Sequence, residues 1–290
     1  MPLTIGVYPG FEEIYLEPGG TYEGTFWVIN SGEDTDEPVD YRIAATPLTI
    51  SSDGTTDYSI ENDRTQISSW ITFDKKFGTV TPGTRQEIKY FITVPEDAPV
   101  GGQYCAATVR IDQPRQDSEG VHVGAIYQVA NLLYATVAGD LDFSGEVVSN
   151  TIHPIFLSSK ITTAAAVRNT GNTHLDATSF IRVYEIFSDE EVYSSEEDIV
   201  TAKVIPGTTK TLINTWTGSP QLGIFRVIQT VSVADDVSTE SSLVFVAPLW
   251  FLAIWFIFIT SCIFWFIFRR KARKDSVHRS HDFTRPNVSR

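Results

Sequence analysis

From Leu243 to Phe268 the chain runs 26 residues without a charged side chain, and Arg269-Arg270-Lys271-Ala272-Arg273-Lys274 follows at once. At about 1.5 Å per residue such a run forms a helix of about 39 Å, against about 30 Å of bilayer hydrocarbon. A buried core helix of this length would normally keep a polar face. The pattern therefore predicts one transmembrane helix over 243–268. The basic cluster predicts a cytoplasmic tail over 269–290, with residues 1–242 outside.

Charge divides along the same line. Residues 1–242 carry 14 Lys+Arg and 34 Asp+Glu, a net of −20, whereas 269–290 carry 8 and 2, a net of +6. The sum of −14 excludes an ordinary nucleic-acid binder, which needs a basic face for phosphate. The tail charge suits anionic lipid of the inner leaflet.

Ten of the 26 residues are Phe or Trp. Trp250 and Trp265 stand near the two ends, where interfacial anchoring is expected, with Arg269, Arg270 and Lys271 completing the anchor. Thr260, Ser261 and Cys262 are read as polar groups bonded back to their own helix rather than as a helix–helix contact. The segment Met1–Ile5 enters a strand-like pattern without the basic and apolar regions of an export signal. Export of residues 1–242 would call for such a signal upstream of Met1 or already removed. A tail-anchored protein with a cytoplasmic body is the competing topology.

Residues 1–242 show short alternating runs punctuated by Pro, Gly, Asn and Asp, which predicts an all-β body. Thr21–Ile29, Glu87–Val94, Tyr104–Ile111 and Val121–Ala138 read as strands, with Ile88, Tyr90, Ile92 and Val94 on one face. The second half repeats the order. Asn30-Ser31-Gly32 returns as Asn169-Thr170-Gly171, and Pro82-Gly83-Thr84 as Pro206-Gly207-Thr208. Gly101-Gly102-Gln103-Tyr104 returns as Gly223-Ile224-Phe225. We therefore expect two immunoglobulin-like β-sandwiches in tandem, 1–138 and 139–242, then the helix and the basic tail.

The halves differ in spacing: 52 positions separate Asn30 from Pro82, but 37 separate Asn169 from Pro206. The surplus holds Ser51–Tyr58, and Asp53, Asp57 and Tyr58 form the candidate ligand loop. A plain surface loop is the other reading of this insertion.

No motif for a nucleophile, phosphate, dinucleotide or protease zinc site occurs, so no enzyme, metal or cofactor is expected. His122, His153 and His174 are read as solvated loop residues. Cys105 is read as a buried thiol, and Cys262 lies in the membrane run, out of its reach. The acidic runs Glu33–Glu37 and Asp189–Asp198 lack the ligand order of a calcium loop and read as solvated.

Pro18-Gly19, Asn30-Ser31-Gly32, Gly54 to Tyr58, Pro82-Gly83 and Gly101-Gly102-Gln103-Tyr104, ahead of a membrane helix and a basic tail, resemble the WxL-interacting proteins of Gram-positive bacteria. That resemblance implies a peptidoglycan-binding first domain, a second sandwich contacting surface proteins or host ligands, and no catalysis. The expected partners are membrane lipid and cell-wall peptidoglycan or another surface protein. The alternative is an accessory or assembly subunit whose helix packs against a polytopic transporter or secretion partner. Exchange of the helix for an unrelated anchor separates the two, since wall binding would survive it and assembly would not.

Overall fold

The computed structural model describes residues 5–33, 37–50, 56–116, 122–219 and 222–281. It is mostly β-sheet, with one long apolar helix at the C-terminal end. The first half contains β1 (Ile5–Tyr8), β2 (Phe11–Leu16), β3 (Thr21–Asn30), β4 (Val39–Pro47), β5 (Thr49–Ile50) and β6 (Thr56–Asp57). After the single turn α1 (Ile67–Trp70) come β7 (Ile71–Phe73), β8 (Phe77–Val80), β9 (Arg85–Thr93), β10 (Gly101–Gln116) and β11 (His122–Val137). The second half contains β12 (Gly145–Ile152), β13 (Ile155–Phe156), β14 (Ile161–Asn169), β15 (Leu175–Glu185) and β16 (Glu191–Ser194). Then follow β17 (Val200–Val204), β18 (Thr209–Trp216), β19 (Gly223–Val233), β20 (Asp236–Val246) and the helix α2 (Leu249–His281).

Alternation decides how these strands pack. In β9, Ile88, Tyr90 and Ile92 point inward and are fully buried, while Glu87, Lys89 and Phe91 point out. This is the two-residue period of a sheet with one wet face. The sheet β1-β3-β9-β7 shares a core with β2-β11-β10-β4-β8. In the second half β12-β14-β18 lies against β13-β20-β19-β15, with β16 and β17 both pairing with β15.

The two halves share a central strand plan, and differ at the edges in β7 on β9 and in β16 and β17 both on β15. Each begins with an antiparallel pair, β1 on β3 and β12 on β14, and each ends with a parallel closure, β2 on β11 and β13 on β20. The repeated motifs do the same work in both. The Asn30 side chain donates to Val80 O and accepts from Gly32 N, and its backbone N–H donates to Thr84 O. The Asn169 side chain donates to Thr173 O and Val204 O and accepts from Gly171 N, and its backbone N–H donates to Thr208 O. A buried Asn at a strand end thus fastens each Pro-Gly-Thr turn, where Gly83 and Gly207 have φ of 71° and 76°. A β-carbon would strain either position.

The cores differ. The first sandwich holds one continuous apolar cluster, from Leu16 and Phe26 to Val137. The second holds two, one around Trp216 and Phe225, the other around Val167 and Val231. Between them lie Thr163, Ser179, Asn214 and Gln229, all buried. The Ser179 hydroxyl accepts from both Asn214 Nδ2 and Gln229 Nε2.

The helix starts later than the charge-free run. Leu243–Val246 belong to β20, paired with Gly223–Arg226, and Val244 and Val246 are fully buried. These residues lack charge because two of them face a protein core. The last strand therefore extends beyond 242, and the helix begins at Leu249, directly after Pro248. Proline is tolerated there because the first turn of a helix has no N–H partner to lose. Leu249–Arg269 is long and apolar enough to cross a membrane, and none of it is covered by the sandwiches. The Thr260 hydroxyl donates to Phe256 O and Ile257 O, as expected of a polar group turned back on its own helix.

Candidate functional site

On the outer face of the first sandwich a groove of about 1020 Å³ lies over β4, β8, β10 and the near end of β11. Strand alternation builds it. Val39, Tyr41 and Ile43 of β4 turn to the core, which puts Asp40, Arg42 and Ala44 outside. The same holds for Phe77 and Thr79 on β8, with Gly78 pressed over the buried Tyr41 ring.

Register then lines up a row across four strands, with Phe77 opposite Arg42, Arg42 opposite Arg110, and Arg110 opposite Gln128. Cross-strand partners on one face sit about 4.5–5.5 Å apart, and like charges placed so are destabilising. Two arginines thus stand side by side in a body with a net charge of −20. Lys76 adds a third cation, and Asp40 adds a carboxylate on the same face, whose Oδ1 accepts from the Thr79 hydroxyl at 2.6 Å. Phe77 is 79% exposed at the end of the row. A guanidinium pair beside a bare ring suits a carboxylate or phosphate group carried on something with an apolar face.

Beyond the row, β10 and β11 leave the sheet. Their pairing continues from Ile111↔Tyr127 to Gln116↔His122, whereas β4 pairs no further than Arg110. A two-stranded ribbon thus rises from the rim of the groove.

Of the candidate ligand loop, Asp57 and Tyr58 are described. Asp53 lies outside the described residues. The Asp57 carboxylate accepts from Ser59 N and Ser59 Oγ, and these bonds hold it below its ordinary value. Tyr58 is exposed. The rest of the insertion turns inward. Ile67 and Trp70 enter the core, and Arg64 reaches the second half, donating to Asn172 O at 2.8 Å. Gly102 N donates to the same carbonyl, also at 2.8 Å.

That contact is part of a junction between the halves. Leu48, Tyr104, Tyr134 and Ile205 form an apolar cluster there, and His174 packs edge-on against both tyrosines. His174 Nε2 lies 3.4 Å from Glu13, and Lys203 bridges Glu13 and Asp176. His174 is thus not a solvated loop residue: its side chain is 12% exposed, and burial lowers its pKa below 6.5. Position in a turn had hidden this, because the surface it meets comes from the other half of the chain. His153 is exposed, and the His122 side chain lies outside the description. Cys105 is a free, fully buried thiol, and burial pushes its pKa up. Among the described residues no three His, Cys, Asp or Glu side chains gather as a metal site.

Trp250 and Trp265 occupy the first and last turns of the apolar part of α2, both exposed, about 22 Å apart along the axis. The Arg269 guanidinium lies over the Trp265 ring at 4.7 Å. Arg270 and Lys271 continue the helix, and their side chains lie outside the description.

No family model and no curated relative matches the chain. Among solved structures it is similar to the class 5 fimbrial chaperone CfaA, at 10% identity and a TM-score of 0.39, over 82% of this chain and 98% of that one. It is also similar to the E. coli chaperone DraB, at 12% identity and a TM-score of 0.35, over 83% and 97%. A Salmonella enterica complex of the pilin SafA with the chaperone SafB gives 10% and 0.38, over 84% and 97%. Identities near 10% and TM-scores below 0.4 carry no residue role across to this chain.

Proposed function

We propose that the chain is a non-catalytic surface-binding protein, held in the plasma membrane by α2, with two immunoglobulin-like sandwiches outside and the basic tail in the cytoplasm. Its ligand is an anionic group on cell-wall glycan or on a neighbouring surface protein, in keeping with the resemblance to WxL-interacting proteins. The observation that carries this reading is the row Phe77–Arg42–Arg110–Gln128, two cations set opposite each other on an acidic body. The uncovered apolar helix after β20 supports the anchoring, and the Arg/Lys cluster that follows supports the orientation.

The test uses the full chain in detergent micelles, sedimented with purified cell-wall sacculi. Each charged hydrogen bond is worth about 1.5–3 kcal/mol, so Arg42→Glu is expected to weaken binding by about 10–100-fold. Arg42→Glu with Arg110→Glu should abolish it, and added salt should weaken the unaltered protein. Arg168→Glu, an exposed arginine on the second half near Glu146, serves as the control and should change nothing. Undiminished binding by the double variant would overturn the groove as the site.

A further inference from the structure

The end of the second sandwich from which α2 leaves differs from its opposite end. The opposite end carries Asn169, Asn172, His174 and Ile205 and is joined to the first half. At the helix end, β20 stops at Val246, opposite Gly223, and Phe156 of β13 stands beside it. Ala247 N donates to Phe156 O, and α2 begins two residues later. Any group level with Val246 is therefore within a few ångströms of the depth at which Leu249 enters lipid.

The exposed groups at that level are apolar. Register places Glu185 of β15 opposite Phe225, so the turn after β15, Ile186-Phe187-Ser188, reaches the level of Gly223 and Val246. Phe187 is 87% exposed at its tip, Leu157 follows β13, and Leu222 and Ile224 flank the start of β19, all exposed. These positions span β13, β20, β19 and β15, about 14 Å across at ordinary strand spacing. The acids of the same turn are engaged to the side: Glu185 accepts from Ser188 Oγ, Asp189 pairs with Arg226, and Glu191 accepts from Tyr184 Oη. Glu190 is exposed there, and Lys160 is an exposed cation on the same end.

We infer that this end of the second sandwich, led by Phe187 and Leu157, rests in the interfacial layer of the bilayer. The body would then stand in a fixed posture instead of swinging on Pro248. The contact rests on the reading of α2 as a membrane anchor. Its partner is the uncharged acyl-glycerol region of the lipid, because a patch with aromatic and aliphatic tips beside carboxylates gains nothing from anionic headgroups. The interfacial layer is about 5–7 Å deep on each side, enough to take one ring of side chains.

The experiment places a nitroxide on the full chain in phosphatidylcholine nanodiscs, in a Cys262→Ser background. Cys105 is buried and stays unlabelled. Labels at Phe187→Cys, Leu157→Cys, Trp250→Cys and Val237→Cys are compared for accessibility to oxygen, which concentrates in lipid, and to a water-soluble nickel chelate. Val237 is an exposed residue about 30 Å along β20 from Val246. Positions 187, 157 and 250 should favour oxygen several-fold, and 237 should favour nickel. With the label at 157, adding Phe187→Asp should shift the ratio toward nickel, an effect that a label's own apolarity cannot produce. A nickel-favouring 187 and 157 with an oxygen-favouring 250 overturns the contact and leaves the anchor standing. A nickel-favouring 250 overturns both.

Discussion

The two sandwiches share a strand plan and an Asn-to-turn fastening, yet one has a continuous core and the other is cut by a polar layer. In the first, Phe26, Ile88, Tyr90, Val109 and Leu133 belong to a single buried cluster. In the second, Thr163, Ser179, Asn214 and Gln229 occupy the same middle level, and Thr163 Oγ1, Asn214 Oδ1 and Gln229 Oε1 have no hydrogen-bond partner. Buried polar atoms left in this state cost about 1–3 kcal/mol each. The difference teaches that stability in the second half leans on its ends. One end is fastened to the first half through the Asn172 carbonyl, which accepts from Arg64 and Gly102, and the other is closed by Trp216 and Phe225 at the end from which α2 leaves.

If so, the two fastenings should not be equal. Asn169→Ala removes three side-chain hydrogen bonds, at 2.7, 2.7 and 2.9 Å, and Asn30→Ala removes two, at 3.3 and 3.0 Å. At about 1 kcal/mol per bond, losses of about 3 and about 2 kcal/mol are expected. Thermal unfolding of the detergent-solubilised chain, followed by calorimetry, measures both. Equal losses, or a larger loss at Asn30, would break the comparison.

That pairing of motifs was legible in the sequence because Asn-x-Gly and Pro-Gly-Thr are local turn chemistry, written in adjacent residues. Core faces were legible for the same reason, as at Ile88, Tyr90 and Ile92. The start of the helix was not, because Val244 and Val246 are buried in the core of the second half, and burial in protein and burial in lipid select the same residue types. The Arg42–Arg110 row escaped as well. The two residues are 68 positions apart, and only the register of β4 on β10 makes them neighbours. The inward turn of the insertion at Arg64 and Trp70 likewise depends on surfaces from distant parts of the chain.

The polar layer offers a second way to sharpen the contrast. Ser179→Ala, Asn214→Leu and Gln229→Leu together remove the hydroxyl and both amides that bond one another, so only the Thr163 hydroxyl, unpartnered in the parent as well, stays in the layer. The three positions are fully buried and adjoin the two apolar clusters. Replacing mutually bonded buried polar groups together by apolar groups of similar volume is neutral to stabilising. A gain of about 1 kcal/mol is expected, about 4–8 °C for a sandwich of this size. Asn214→Leu alone should do worse than the triple variant, because it leaves Gln229 and Ser179 in an apolar setting. A triple variant less stable than the parent would mean that the layer supports the second sandwich rather than weakening it.

The smallest effect concerns pH at the junction of the halves. His174 faces Glu13 from β2, Lys203 from β17, Asp176 from β15, and the rings of Tyr104 and Tyr134 from β10 and β11. Burial lowers its pKa below 6.5, and Lys203 acts in the same direction, while Glu13 and Asp176 oppose. Between the folded pKa and 6.5 the unfolded chain therefore binds more protons than the folded one, so stability rises with pH across that window. The contribution is complete above 6.5 and is lost as pH falls through the window, with a slope of less than one proton, or about 1.4 kcal/mol per pH unit at most. Melting the full chain between pH 5 and pH 7.5 should show a fall on the acid side that His174→Gln reduces. A parent and variant that lose stability in parallel would place the acid sensitivity elsewhere. A fall larger in the variant would mean that the protonated imidazole is held by Glu13 and tightens the junction in acid.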